Sequence, residues 1–145
     1  MTPILAWLGR FAAIVLGYAA AALVASLFLN LMLVGSLEDA TELFEGPQVL
    51  VVAFFTVFIG YFAFFPALIA IAAAELLGRR DWLFYALAGA AVSVAATALY
   101  VGVSGWQSGG ADQPDLSLAL IASGVAAGLT YWAIAGRRAG IPRNT

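Results

Sequence analysis

Residues 70–87, "AIAAAELLGRRDWLFYAL", decide the fold, because two long apolar runs meet there across a short charged break. The runs before and after Arg79 and Arg80 are each about twenty residues or longer, which lets a helix cross the ~30 Å hydrocarbon layer of a membrane. The break therefore predicts a short connection at one membrane surface, with a membrane-crossing helix on each side of it.

Apolar runs of the same kind recur along the chain. With 64% hydrophobic and 10% charged residues and a mean hydropathy of +1.02, the composition differs from that of soluble proteins, in which about a quarter of residues are charged. The first run exceeds the roughly 7–15 apolar residues of a signal peptide, so we interpret it as a retained helix. We predict an all-α membrane protein, with residues 1–145 forming one four-transmembrane-helix bundle. Its spans are about 11–34, 47–77, 82–104 and 116–136.

The charged residues predict the topology. All six basic residues are arginines, and every one falls on the same side of the predicted spans, whereas the connections after spans one and three contain acidic residues and no basic ones. By the positive-inside rule both termini are cytoplasmic (N-in/C-in) in the cell inner (plasma) membrane. The arginine pairs then act as topology anchors, and binding of anionic lipid headgroups or of an acidic partner is the alternative. The arginines are Arg10, Arg79, Arg80, Arg137, Arg138 and Arg143.

The connection after span one predicts a short external amphipathic helix. It reads "SLEDATELFEGP" over residues 36–47, with Ser36 and Asp39 suited to the N-terminal cap and Gly46 and Pro47 to the stop. Apolar residues share one face and acidic residues occupy the rest. We interpret it as a connector lying on the outer membrane surface, with a docking site for a basic partner or cations as the alternative.

Several classes of chemistry are excluded by composition. The chain has no cysteine and no histidine, so it lacks thiolate chemistry, the usual ligands for zinc and haem, and the commonest acid–base group near neutral pH. We therefore predict no metal site, no cofactor and no enzymatic activity. Without a basic tract, nucleic-acid binding is not expected either.

Glu75 is the only acidic residue inside an apolar run, and intramembrane carboxylates are functional candidates by default. Arg79 follows it at the spacing of an intrahelical ion pair. We therefore predict that Glu75 pairs with Arg79 near the cytoplasmic boundary, with a proton or substrate site as the alternative. Asn30 and Tyr100 are the other substrate or ion candidates, for which hydrogen bonding between helices is the simpler interpretation.

Span two has two opposed faces when its residues are placed at 100° intervals. We predict that its small residues face the bundle and that its aromatic residues face lipid or another protein, with a cofactor or quinone pocket as the alternative. The small stripe contains Ala53, Thr56, Gly60, Ala63, Ala67, Ala70 and Ala74. The aromatic arc contains Phe54, Phe55, Phe58, Tyr61, Phe62 and Phe65.

Proline and glycine mark further features of the predicted helices. Pro66 cannot donate a backbone hydrogen bond to the Phe62 carbonyl, which predicts a kink in span two. Span four contains the spacing Gly124-xxx-Gly128, which permits close helix crossing either within the bundle or between copies. Gly60 and Gly89 complete the set of predicted helix-packing glycines.

The end of the last span resembles a group of known proteins. The stretch "YWAIAGRRAGIPR", residues 131–143, together with the exclusive use of arginine, resembles small, uncharacterised four-span inner-membrane proteins of GC-rich bacteria. The resemblance covers the last span and the tail, and it implies a fold and a membrane but no activity.

The function predicted from these features is that of a non-catalytic integral membrane subunit, which works by associating with itself or with a larger membrane complex in the lipid bilayer. Two features support it: the chain lacks the residue types that most catalysis requires, and its helices have many faces of small residues on which other helices can pack. The alternative is a small oligomeric transporter or channel for an ion or small solute, which would use the Pro66 bend with Glu75, Asn30 and Tyr100. A lipid-modifying enzyme ranks third, because Glu75 alone cannot supply both a nucleophile and a base.

Overall fold

The structure, a computed structural model, describes residues 3–34, 46–104 and 114–138. Each of its four α-helices contains a stretch long and apolar enough to cross a membrane, so the prediction of an all-helical chain with four such helices is confirmed for these residues. The helices are α1 (Pro3–Val34), α2 (Pro47–Leu77), α3 (Trp82–Ser104) and α4 (Pro114–Ile134), and a 3₁₀ turn at Gly136–Arg138 follows α4.

The bounds of α2 and α3 coincide with the predicted spans, whereas α1 and α4 begin before theirs. The apolar stretch of α1 begins at Trp7, so Arg10 lies inside it and not before it. A charged side chain does not interrupt a helix, because the backbone hydrogen bonds lie within the helix itself. In an apolar stretch, however, that side chain needs a partner from another part of the protein. The predicted external helix at residues 36–47 falls almost wholly outside the described residues.

The four helices pack as a ring, in which each helix mainly contacts the two next to it in the order α1, α2, α3, α4. Helix α4 makes the most extensive contacts, with α3 and with α1, and α2 is held less closely. Successive helices run in opposite directions. The start of α1, the end of α2, the start of α3 and the end of α4 therefore meet at one end of the bundle.

Helices α3 and α4 approach each other backbone to backbone at three glycines. A Cβ atom added to Gly89 would collide with the Gly124 carbonyl group and lie 3.0 Å from the Gly128 Cα atom. A Cβ atom on Gly124 would lie 2.7 Å from the Ser93 Cβ atom. The Gly124-xxx-Gly128 spacing thus serves a crossing within this chain, where small residues let two helices pack closely. Gly60 is less confined, since its added Cβ would lie 3.9 Å from the Ala22 side chain.

The turn between α2 and α3 is short because Gly78 adopts a left-handed conformation, with φ 60° and ψ 28°. The backbone N–H of Gly78 donates to the Glu75 carbonyl oxygen at 3.3 Å, and that of Arg79 donates to the Ala74 carbonyl oxygen at 3.1 Å. This is the Schellman arrangement, in which glycine has no Cβ to oppose the reversal. Helix α3 begins three residues after Arg79, at Trp82.

Helices α1 and α2 are joined along their length by polar groups. The Tyr18 hydroxyl donates to the Gly60 carbonyl oxygen, and the Ser26 hydroxyl donates to the Val52 carbonyl oxygen at 2.9 Å. Such bonds between helices act as packing contacts in lipid. The two bonds fix the register of α1 against α2.

The predicted division of α2 into an inner small face and an outer aromatic face is wrong in part. Phe58 and Phe62 turn inward, and each ring packs against Tyr100 of α3 with centroids 5.4 Å apart. Phe54, Tyr61 and Phe65 remain largely exposed. Tyr100 packs edge to face against the Phe58 and Phe62 rings. The prediction missed this contact because it used only the residues of α2, whereas Tyr100 belongs to α3.

The glycine contact provides a test of the helix packing. We expect Gly89→Ala to lower the free energy of unfolding by about 1–3 kcal/mol, because the added methyl group must push α3 and α4 apart. Gly102→Ala in the same helix is the matched control, since nothing lies within 4 Å of its added Cβ. It should be neutral or stabilising by up to about 1 kcal/mol. Denaturant titration followed by circular dichroism measures both, and equal effects would contradict the packing.

Candidate functional site

Arg10 and Glu75 form an ion pair between α1 and α2 near one end of the bundle. The guanidinium group donates through one nitrogen to Glu75 Oε1 and through the other terminal nitrogen to the Ala135 carbonyl oxygen at 3.1 Å. Both side chains are partly buried. Because Ala135 follows the last residue of α4, its carbonyl lies at the negative end of that helix dipole, where a cation is favoured. One arginine therefore links three helices.

The interhelical partner of Glu75 was not predicted from the sequence, which named Arg79 as its ion-pair partner. Arg79 forms an exposed ion pair with Asp81, with 3.6 Å between nitrogen and oxygen. The prediction used only the spacing along one helix, whereas Arg10, which pairs with Glu75 in the structure, lies 65 positions earlier in the chain.

Further contacts gather the described arginines at the same end of the bundle. The Trp132 indole N–H donates to the Arg80 carbonyl oxygen at 2.7 Å, and the Arg137 guanidinium lies 4.6 Å from the centre of the Trp132 ring. These contacts tie the end of α4 to the turn between α2 and α3. We call this region the charged end and define it by Arg10, Glu75, Arg79, Arg80 and Arg137.

A partly open cavity of about 670 Å³ occupies the space between the four helices. It exists because α3 and α4 meet closely at their glycines, whereas the Phe58 and Phe62 rings hold α2 away from α3. Its wall consists mainly of alanine, glycine and aromatic residues, and none of the described residues that line it carries a charge. It falls within the roughly 300–1,000 Å³ range of small-molecule sites.

Most polar groups in the cavity wall are already hydrogen-bonded to the chain's own backbone. Ser93, Thr97 and Ser123 each donate to a carbonyl oxygen of their own helix. Tyr85 lines the wall near the charged end, and its hydroxyl donates to the Arg79 carbonyl oxygen at 3.2 Å. These groups are satisfied without a ligand.

Tyr131 differs from those groups. Its side chain is only 7% exposed and lines the cavity, yet its hydroxyl has no hydrogen-bond partner among the described residues. The ring is held between the Tyr85 ring, with centroids 5.8 Å apart, and Gly17 of α1. Ala135, whose carbonyl accepts from Arg10, lies one helical turn beyond Tyr131, so Tyr131 lies close to the charged end.

The three residues predicted as substrate or ion candidates do not come together. Asn30 is buried and donates to the Ser26 carbonyl oxygen at 2.8 Å, about 30 Å along α1 from Arg10. Tyr100 lines the cavity near the other end of α3 from the Arg79 turn. Glu75 lies at the charged end. Pro66 lies inside α2, which continues as a helix from Pro47 to Leu77.

Sequence reasoning missed the residues that give this region its chemistry. Arg10 was assigned only to topology, and Tyr18 and Tyr131 were not singled out. For Arg10 the available signal was its position close to the apolar run, where an arginine needs a partner. Nothing in the sequence marked Tyr131, because the lack of a hydrogen-bond partner for its hydroxyl depends on how α1 and α3 pack around it.

Comparisons with protein-family models, with curated proteins and with solved structures found no match to this chain.

Proposed function

We propose that the chain is a non-catalytic integral membrane subunit that associates with a second copy of itself through the outward face of α2. That face contains Phe54, Val57, Tyr61, Phe65 and Ile69, all of which are largely exposed. In a bilayer, apolar side chains on such a face are solvated by lipid and need no protein partner. Tyr61 is the exception, and it carries the proposal.

Tyr61 places a polar group where lipid cannot satisfy it. Its side chain is 74% exposed, and it lies about 20 Å from either end of α2 at 1.5 Å per residue. Tyrosine is favoured at membrane interfaces, where its hydroxyl reaches water, and a side chain at mid-helix cannot reach that far. An unpaired hydroxyl in hydrocarbon costs about 4 kcal/mol or more, so a second polar surface against this face would be stabilising.

A second copy is the partner best suited to this face. A hydroxyl both donates and accepts, so two Tyr61 residues related by a two-fold axis can satisfy each other. The glycines that the sequence offered for contact between copies are used inside the chain, between α3 and α4. That leaves α2, the helix held least closely to the others, as the surface for association.

A small transporter is the second candidate function, and the open cavity between the helices favours it. The polar residues that could line a path for an ion support this function less, because Glu75 is paired with Arg10 and Asn30 is hydrogen-bonded within α1. Transport would therefore involve an apolar solute and not an ion.

We further propose that the protein lies in a bacterial inner membrane, with the charged end toward the cytoplasm and both termini on that side. The gathering of Arg10, Arg79, Arg80 and Arg137 at one end supports this orientation through the positive-inside rule.

Cysteine crosslinking tests the proposed dimer, and the absence of native cysteine makes each introduced thiol unique. We expect Val57→Cys, at a position 74% exposed on the α2 face, to form disulfide-linked dimers on oxidation in membranes. Val94→Cys, 55% exposed near the middle of α3, is the matched control and should stay monomeric.

Adding Tyr61→Phe to Val57→Cys should weaken dimerisation by about 3- to 10-fold, because the hydroxyl contacts between copies are lost. Equal crosslinking at both cysteine positions would count against the dimer. Crosslinking of Val57→Cys to a different protein would show that the partner belongs to a larger membrane complex and is not a second copy.

Thiol labelling in intact bacterial cells tests the orientation. Gln48 and Asp81 are both exposed and lie at opposite ends of the bundle. We expect a membrane-impermeant reagent to label Gln48→Cys in intact cells and Asp81→Cys only after the membrane is permeabilised. The reverse pattern would overturn the proposed orientation.

A further inference from the structure

We propose that the charged end binds the phosphate headgroup of an anionic phospholipid where the turn between α2 and α3 meets the end of α4, with Arg80 and Arg137 as its main ligands. The acyl chains of that lipid lie against the exposed apolar side chains next to the arginines. This inference does not depend on the proposed dimer, which uses the outward face of α2 around Tyr61. It holds for either orientation, because phospholipid headgroups border both surfaces of a membrane.

The fold joins two groups of arginines that are far apart in the sequence. Arg79 and Arg80 lie in the turn between α2 and α3, and Arg137 lies in the 3₁₀ turn after α4. The Trp132 indole N–H donates to the Arg80 carbonyl oxygen at 2.7 Å, and the Arg137 guanidinium lies 4.6 Å from the centre of the same ring. One arginine pair is smaller than the basic clusters that bind anionic lipids, whereas the joined groups, with Arg138 next in the chain, reach that size.

The charged end has more cations than anions. Its described residues include four arginines, whereas the carboxylates there are those of Glu75 and Asp81. Glu75 pairs with Arg10, and Asp81 lies 3.6 Å from Arg79 in an exposed pair that contributes little. Arg137 forms no salt bridge among the described residues, and its contact with the tryptophan ring is electrostatic. Its planar fork of N–H donors suits two oxygens of one phosphate.

The apolar residues beside the arginines favour a lipid over an acidic protein. Leu76 and Leu77, at the end of α2, are 82% and 64% exposed, and Trp82 at the start of α3 is 55% exposed. In a membrane, acyl chains surround such leucines, and tryptophan is favoured at the level of the headgroups. A lipid therefore contacts the apolar residues through its chains and the arginines through its phosphate. A soluble acidic protein reaches only the arginines.

The excess of positive charge selects among headgroups. Phosphatidylglycerol carries a phosphate and no cation, whereas phosphatidylcholine also carries a quaternary ammonium group, which the arginines repel. Each arginine near an anionic lipid surface strengthens binding by about fivefold. The site therefore prefers phosphatidylglycerol.

Native mass spectrometry of the purified chain in detergent tests the proposal. The unaltered protein is mixed with equal amounts of phosphatidylglycerol and phosphatidylcholine that have the same acyl chains, and adducts with one lipid are compared. We expect the phosphatidylglycerol adduct to exceed the other by about 10- to 25-fold, because two arginines act on its phosphate. Glycerol phosphate at the same concentration should not displace the lipid, because it lacks the apolar contacts.

Two substitutions at the site and one matched control locate the binding. Arg80→Gln and Arg137→Gln should each lower the preference for phosphatidylglycerol by about fivefold. Gln48→Glu makes the same change in net charge at an exposed residue near the opposite end of the bundle, and it should leave the preference unchanged. All three positions are exposed, and circular dichroism checks that each variant keeps its helices.

Four results would overturn the proposal. Equal binding of both lipids to the unaltered chain would remove the site, and equal losses in Gln48→Glu and the two arginine variants would show attraction by net charge alone. Displacement by glycerol phosphate would show that the arginines bind free phosphate. An acidic protein that copurifies and blocks the lipid would assign the arginines to a protein partner. None of these results bears on the Val57→Cys crosslink, so the lipid site and the dimer are tested separately.

Discussion

The ion pair between Arg10 and Glu75 is the contact on which the arrangement of the helices depends. Both residues lie inside stretches apolar enough to cross a membrane, where an isolated charge is costly. Pairing cancels the two charges and joins α1 to α2, and the bond from Arg10 to the Ala135 carbonyl adds α4. One guanidinium group therefore sets the relative heights of three helices.

The rest of the bundle follows from that junction and from side-chain size. With α1 and α2 fixed at the charged end, the Tyr18 and Ser26 hydroxyls meet carbonyl oxygens along α2. Helices α3 and α4 close on each other at Gly89, where no side chain intervenes, while aromatic rings hold α2 away. The same spacing opens the cavity between the helices.

The sequence was sufficient for features that depend on a single helix. The apolar runs, and the glycine, proline and charged residues that interrupt them, gave the bounds of α2 and α3. It was insufficient wherever two helices decide the outcome. The partner of Glu75, the inward turn of Phe58 and the isolation of the Tyr131 hydroxyl each depend on a neighbour more than 40 positions away along the chain, which helical periodicity does not encode.

A double-mutant cycle on Arg10 and Glu75, read as the free energy of unfolding, tests the central claim most directly. Arg10→Gln and Glu75→Gln each remove the ion pair and should each cost about 1.5–3 kcal/mol, with the double variant costing at least ~1 kcal/mol less than their sum. The exposed pair Arg79 and Asp81 is the control, and its coupling should stay below about 0.5 kcal/mol. Absent coupling between Arg10 and Glu75, or equal coupling in both pairs, would contradict the account.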